Sequence, residues 1–278
     1  MKIIYYIEGL SGIGKTTFLK EKEKEKCKVH YTDLKENVDK YEEFKNIGNN
    51  KIIGMIFMLF NMTEIMAAYT SKATVEIFDR SPICSLYYTI IKEIMIETKT
   101  QLLTYADLQD SIMKKMDIYF LRKDDQSNAT SFKIMLKNIL EEFPTIMCVT
   151  NNIDMVVETI LARKDLEQHL ANSMGYEFDE YYARRYVFVQ NTVFRLACDI
   201  YTNSSYKVEI DDYAKSKELI ENKFDAIKEH YKELKTFKNL TTIDFTGKKL
   251  KQKKINNFSI WNLKNILLGN ITSLYYRL

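Results

Sequence analysis

Apolar residues fall along this chain in two alternating rhythms. Short runs, rich in β-branched and aromatic residues, stand at KIIYYI (2–7), KVHY (28–31), TVEIF (74–78), TIMCV (145–149) and YKVEI (206–210), and each stops at a polar residue. Runs of this kind predict strands buried on both faces. Between them, apolar positions recur at helical spacing over 15–26, 52–70, 82–98, 105–121, 131–142, 153–170, 177–200 and 214–235. Strands separated by helices require right-handed crossovers, so the pattern predicts an α/β fold with a five-stranded parallel sheet flanked by helices.

In such a sheet ligands sit beyond the carboxyl ends of the strands. The stretches to inspect are therefore Glu8 to Thr16, Thr32 to Glu36, Asp79 to Pro82, Thr150 to Asn152, and Asp211 with Asp212. KDDQSNATS (123–131) reads as a polar surface loop. From about residue 236 the alternation breaks: TGKKLKQKK (246–254) is basic and turn-like, and a last apolar helical pattern follows in IWNLKNILLGNITSLYY (260–276). We expect one domain over 1–235, with 236–278 as an extension packed on it, covering either the open sheet edge or a partner in a homodimer.

Composition narrows the classes. Apolar residues make up 46% and charged residues 28%, ordinary for a soluble globular protein. With 41 basic against 38 acidic residues the net charge is only +3, so no nucleic acid or other acidic partner is expected, and Lys248 to Lys254 reads as a solvated turn. Cys27, Cys84, Cys148 and Cys198 lie far apart without a C-x-x-C pair. That spacing argues against a disulfide framework or a zinc site and fits a reducing, cytoplasmic compartment. Met1 runs directly into a strand pattern, so no secretory leader is expected. The longest apolar run, IIGMIFMLF (52–60), stops at Asn61, short of the ~20 residues of a membrane span, so no membrane association is expected either.

The most specific motif is GLSGIGKT, residues 9–16, which fits G-x-x-x-x-G-K-[ST] directly after the first strand pattern. Glycines at this junction let successive N–H groups converge on phosphate oxygens, and the next helix turns its positive end toward them. Gly9, Gly12, Ile13, Gly14 and Thr17 would form the cradle, Lys15 would reach the β- and γ-phosphates of ATP, and the Thr16 hydroxyl would ligate Mg²⁺. A chance match in a helix-capping turn is the alternative. The second informative stretch is VEIFDRSPICSLYY (75–88). Arg80 can fork onto an anionic oxygen at any pH, while Asp79 can orient it, hold a metal-bound water or accept a proton. Asp79 or Ser81 capping a helix that starts at Pro82 fits the same residues.

IEGLSGIGKTT followed by FDRSPICSLYY resembles the deoxynucleoside kinase family, and its DR-x-P-I form resembles the thymidine kinases of herpesviruses. YYARRYVFVQNTVFRL (181–196) is similar to the Arg-Arg helix that follows their lid. The resemblance covers roughly residues 1–230. It implies a P-loop kinase fold with a lid at about 161–180, and Mg²⁺-dependent transfer of the ATP γ-phosphoryl group to the 5′-hydroxyl of a small-molecule deoxynucleoside. It also implies roles residue by residue. Asp33 falls at the family's general base, where Glu-Pro is usual and Asp33-Leu34 stands instead; an exposed helix cap is the other reading. Arg163, with Lys164 beside it, falls at the first lid arginine, Glu167 near the acid that meets the sugar 3′-hydroxyl, and Asp165 close to the place of a second lid arginine. A solvated charged face is the alternative for that stretch, and Arg184 and Arg185 are candidates for the missing charge. Asn50, or Asn49, stands where the family has a base-reading glutamine. Ile53, Met55, Met58, Tyr87 and Tyr88 line an apolar base slot or belong to the core. Tyr41 is a candidate for the sugar, on a segment shorter than its counterpart. A thymidylate-type monophosphate kinase and a catalytically inactive nucleotide-binding descendant stand as alternatives.

Overall fold

A computed structural model describes residues 3–25, 27–31, 48–101, 104–125, 127–142, 144–201 and 205–241. Five strands form one sheet: β1 (Ile3–Gly9), β2 (Lys28–His30), β3 (Val75–Asp79), β4 (Thr145–Val149) and β5 (Ser205–Glu209), in the order β2-β3-β1-β4-β5. Every pairing is parallel. The central strand β1 is buried from Ile4 to Gly9 and β4 throughout, as a sheet covered on both faces demands. All five sequence-predicted strands are present within a residue or two of their expected bounds.

The helices are α1 (Lys15–Lys24), α2 (Asn50–Thr70), α3 (Cys84–Glu97), α4 (Tyr105–Tyr119), α5 (Ser131–Glu142), α6 (Ile153–Ala162), α7 (Lys164–Ser173), α8 (Glu180–Leu196) and α9 (Tyr213–Thr241). The Asn49 side chain caps α2 by accepting from the Lys51 and Ile52 N–H groups at 3.1 and 3.3 Å. Gly54 lets α2 and α3 meet closely: an added Cβ would stand 2.5 Å from the Thr89 hydroxyl, and Ser85 donates to the Gly54 carbonyl at 2.8 Å. Asn61 does not end α2, and Lys51–Ala68 has the length and apolar composition of a membrane-crossing helix. Helix α8 is buried along most of its length, with Tyr182, Tyr186, Val189 and Phe194 in the core.

Two helical expectations are corrected. The window 153–170 is two helices, because Arg163 leaves helical geometry (φ −99°, ψ 41°) and its N–H bonds to Ile160, three residues back, at 3.0 Å. The window 177–200 ends as α8 at Leu196 and continues as a π-helical turn, Ala197–Tyr201. The chain divides into two compact units, Met1–Phe224 and Asp225–Leu278. The first carries the whole sheet. In the second, the described residues are the C-terminal part of α9; the basic run 246–254 and the apolar pattern after it lie outside the described residues.

Candidate active site

The loop between β1 and α1 is built on its glycines. Gly9 has φ 125°, and a Cβ there would stand 2.1 Å from the Cys148 carbonyl oxygen on β4, so only hydrogen fits. Gly14 (φ 95°) starts α1 with no side-chain cap; the Thr17 N–H donates to the Gly14 carbonyl at 3.1 Å, and no capping side chain competes with an anion for the Lys15 and Thr16 N–H groups. Ile13 is buried, whereas Thr16 and Thr17 are exposed on the first turn of α1. Lys15 folds into the loop: its Nζ donates to the carbonyls of Gly9 at 2.9 Å and Leu10 at 2.6 Å. Burial pushes the Lys15 pKa down and Arg80 adds to the effect, with Asp79, Cys148 and Glu8 opposing it.

Parallel pairing sets the end of β3 beside that of β1, with Ile7 opposite Asp79. Glu8 then ties the two following loops together. Its buried carboxylate accepts from the Gly9 N–H at 3.2 Å through Oε1, and from the Ser81 N–H at 3.1 Å and the Ser81 hydroxyl at 3.2 Å through Oε2. Ser81 is therefore not a helix cap, nor is Asp79. The following helix starts at Cys84 rather than at Pro82, and its cap position, Ile83, offers no side-chain bond.

Arg80 sits in this junction at φ 100°, the one non-glycine positive φ among the described residues. Such a backbone costs about 1–3 kcal/mol and persists only where its surroundings hold it. Here its N–H donates to the Ile7 carbonyl at 2.9 Å, Nη1 reaches the Cys84 sulfur at 3.5 Å, and the guanidinium stacks on Tyr88 with Cζ 4.8 Å from the ring centroid. The Nε is buried without a hydrogen-bond partner. Burial works against the Arg80 charge, while Tyr88, Cys84, Glu8 and Asp79 favour it and hold its pKa well above the ordinary value. Burial likewise pushes the Tyr88 hydroxyl up to about 12, with Arg80 opposing.

Gln190 lies in α8, within YYARRYVFVQNTVFRL, and the sequence gives it no signal of its own. It is fully buried; its Oε1 accepts from the Ser11 N–H in the loop at 2.9 Å, and its Nε2 donates to the Tyr88 hydroxyl at 3.0 Å. On the other side of the loop, the Thr159 side chain and an Arg163 guanidinium nitrogen lie 2.9 and 3.9 Å from where a Cβ on Gly12 would stand. The Ser216 hydroxyl lies 2.8 Å from the same point on Gly14, and Tyr213 bonds to Thr159. Asp211, just past β5, accepts from the Thr150 hydroxyl at 2.9 Å and from the N–H groups of Asn151 at 2.6 Å and Asn152 at 3.2 Å, which pins the loop after β4.

The structure thus brings together Lys15, Arg80, Asp79 and Tyr88, with Thr16 on the adjoining helix turn and Arg163 near the loop. Ile53 is buried, and Tyr87 packs against Phe120 and Phe194 in the core, so Tyr88 is the one of these three tied to the charged cluster. Arg184 pairs with Asp154 and Glu180, and Arg185 donates to the Thr98 carbonyl at 2.7 Å, so neither supplies a charge to the loop. Asp33 and Tyr41 lie outside the described residues, as do the side chains of Asn50, Lys164 and Glu167. Among the described residues no three His, Cys, Asp or Glu side chains form a metal cluster. The Thr16 hydroxyl and Asp79 carboxylate are hard oxygen donors of the kind that hold Mg²⁺ together with phosphate oxygens, so the residues present suit that ion.

No protein family model matches the sequence, and no curated protein does. Among solved structures, the chain is similar to the deoxyadenosine kinase of M. mycoides with bound dATP, at 16% identity and a TM-score of 0.44, over 80% of this chain and 100% of that one. It is also similar to the same enzyme with products dCMP and a flexible dCDP, at 17% identity and a TM-score of 0.45, over 81% and 100%.

Proposed function

We propose that the protein transfers the γ-phosphoryl group of ATP to the 5′-hydroxyl of a deoxynucleoside. The observation that carries the reading is the junction of β1 and β3, where a phosphate-type loop with its Lys15 is bonded through Glu8 to the loop that presents Arg80. The loop N–H groups and Lys15 hold the donor phosphates, with Thr16 and Asp79 as the ligands of Mg²⁺, which supplies charge neutralisation along the phosphate chain. Arg80, half-buried and permanently charged, faces the phosphoryl oxygens as charge redistributes toward the transition state. Arg163 and Lys164 close over the donor from a lid at about 161–180, and Asp33 accepts the 5′-hydroxyl proton. The new bond joins the 5′-oxygen to the γ-phosphorus, the bond to the β,γ-bridging oxygen breaks, and ADP leaves. The nucleoside as acceptor rests on the resemblance of IEGLSGIGKTT and FDRSPICSLYY to the family, with Asp33 at its general-base position; Asn50, Tyr88 and Glu167 are its proposed neighbours.

The test is product analysis with ATP, Mg²⁺ and each deoxynucleoside, with dTMP assayed beside them. Formation of a nucleoside monophosphate, abolished in Lys15→Ala, is expected. Phosphorylation of dTMP alone would replace the acceptor with a monophosphate. Absence of any product, with Lys15→Ala binding ATP as the unaltered protein does, would overturn the reading.

A further inference from the structure

Helix α8 runs behind the site, and Gln190 is the point where it reaches the loop. A backbone N–H can only donate, so the Gln190 atom 2.9 Å from the Ser11 nitrogen is the carbonyl oxygen, and the amide nitrogen is thereby turned toward Tyr88 at 3.0 Å. The same nitrogen has the Tyr186 hydroxyl at 3.3 Å and the Ser11 hydroxyl at 3.4 Å as further acceptors. With two hydrogens to give, its shortest bond is to Tyr88. Tyr88 in turn carries the Arg80 guanidinium on its ring. One buried amide therefore joins the loop that would grip the donor to the platform under the cation that would meet the transferred group. Gln190 touches neither of those charged groups itself.

We propose that Gln190 is a positioning residue that locks the phosphate-binding loop to Arg80 through Tyr88, so that both keep one spacing during transfer. The proposal rests on the transfer reading above. Transfer geometry is steep, since a displacement of about 1 Å can cost ~10²-fold in rate. A side chain that holds two loops in register therefore acts on turnover without contacting a ligand. Shape alone does not explain the residue: a leucine of similar volume would fill the same place and leave the Ser11 N–H and Tyr88 hydroxyl without their partner.

The experiment is a double-mutant cycle between Gln190→Leu and Arg80→Lys, read in kcat and, by calorimetry, in ATP affinity. Gln190→Leu alone should lower kcat about tenfold, with Tyr88→Phe, which keeps the ring and removes the hydroxyl, as the milder variant. In the Arg80→Lys background the same substitution should add less than about twofold, because the route it acts through is already broken. Gln190→Glu still accepts from Ser11 and lets Tyr88 donate, so it should be more active than Gln190→Leu although a buried carboxylate makes it less heat-stable. Equal losses in both backgrounds, or activities that simply follow thermal stability, would overturn the proposal. If the protein binds ATP and transfers to no acceptor, the transfer reading fails by itself. The affinity cycle, expected to show about fivefold coupling, then still decides whether the loop and Arg80 are linked through Gln190.

Discussion

Arg80 lies across the face of Tyr88, its guanidinium carbon 4.8 Å from the ring centroid, although its own backbone is forced to φ 100° to put it there. A cation over a half-buried ring gains about 1–2 kcal/mol, comparable with the backbone cost. Tyr88→Leu removes the platform and should destabilise the protein by roughly that amount in chemical denaturation. It should also lower turnover more than Tyr88→Phe does. Equal turnover in the two variants would mean that the ring has no part in holding Arg80.

The backbone at Arg80 makes a separate prediction. In ordinary positions glycine is less stable than alanine by roughly 0.5–1 kcal/mol. At φ 100° the order should reverse, so Arg80→Gly should unfold at higher denaturant than Arg80→Ala by about 1 kcal/mol. Both variants lack the guanidinium and should lose transfer alike. Arg80→Ala proving the more stable would show that this backbone is relaxed.

Gly9→Ala should be the most damaging substitution in the loop. The added methyl would stand 2.1 Å from a peptide oxygen of a central strand, which cannot move aside as a side chain can. We expect a loss of at least about 3 kcal/mol, seen as a lowered denaturation midpoint or as failure to accumulate folded protein. A Gly9→Ala protein as stable as the parent would contradict the close approach of β1 and β4.

Asp211 sets part of the acid limit of stability. Burial opposes its charge, but the Asn151 N–H and side chain, the Thr150 hydroxyl and the Asn152 N–H outweigh that and lower its pKa below the ordinary carboxylate value. A group whose folded pKa is depressed stabilises the fold above its unfolded pKa, and that contribution is lost as pH falls through the folded value. Denaturation midpoints of the unaltered protein should therefore drop on acidification below about pH 4. In Asp211→Asn the drop should be shallower, from a lower starting stability at neutral pH. Parallel curves for the two proteins would remove Asp211 from the linkage.

The sheet was legible because each strand is a short run rich in β-branched and aromatic residues that ends at a polar one, and because β1 and β4, buried on both faces, leave no alternation to misread. Lys15 was legible from the spacing of GLSGIGKT, and Arg80 because it stands just past the end of a strand run. Gln190 was not: one glutamine in a helical window has no local signal, and its role exists only once α8 packs against the loop after β1. Tyr87 and Tyr88 are neighbours in a helix and both reach Phe194, so spacing alone does not say which one turns to Phe120 and which to Arg80. The break at Arg163 carries no glycine or proline to announce it. Reading Ser81 as a cap failed because a nearby buried carboxylate, Glu8, claims its N–H and hydroxyl first.

The glycine loop has one wall of backbone and one of side chains. At its root Gly9 faces the peptide oxygen of Cys148, which no substitution at position 148 can change. Further on, Gly12 and Gly14 face Thr159 and Ser216. Any reshaping of the loop's fit, by evolution or by design, is therefore channelled away from the sheet and into two small residues that stand 57 positions apart in the chain.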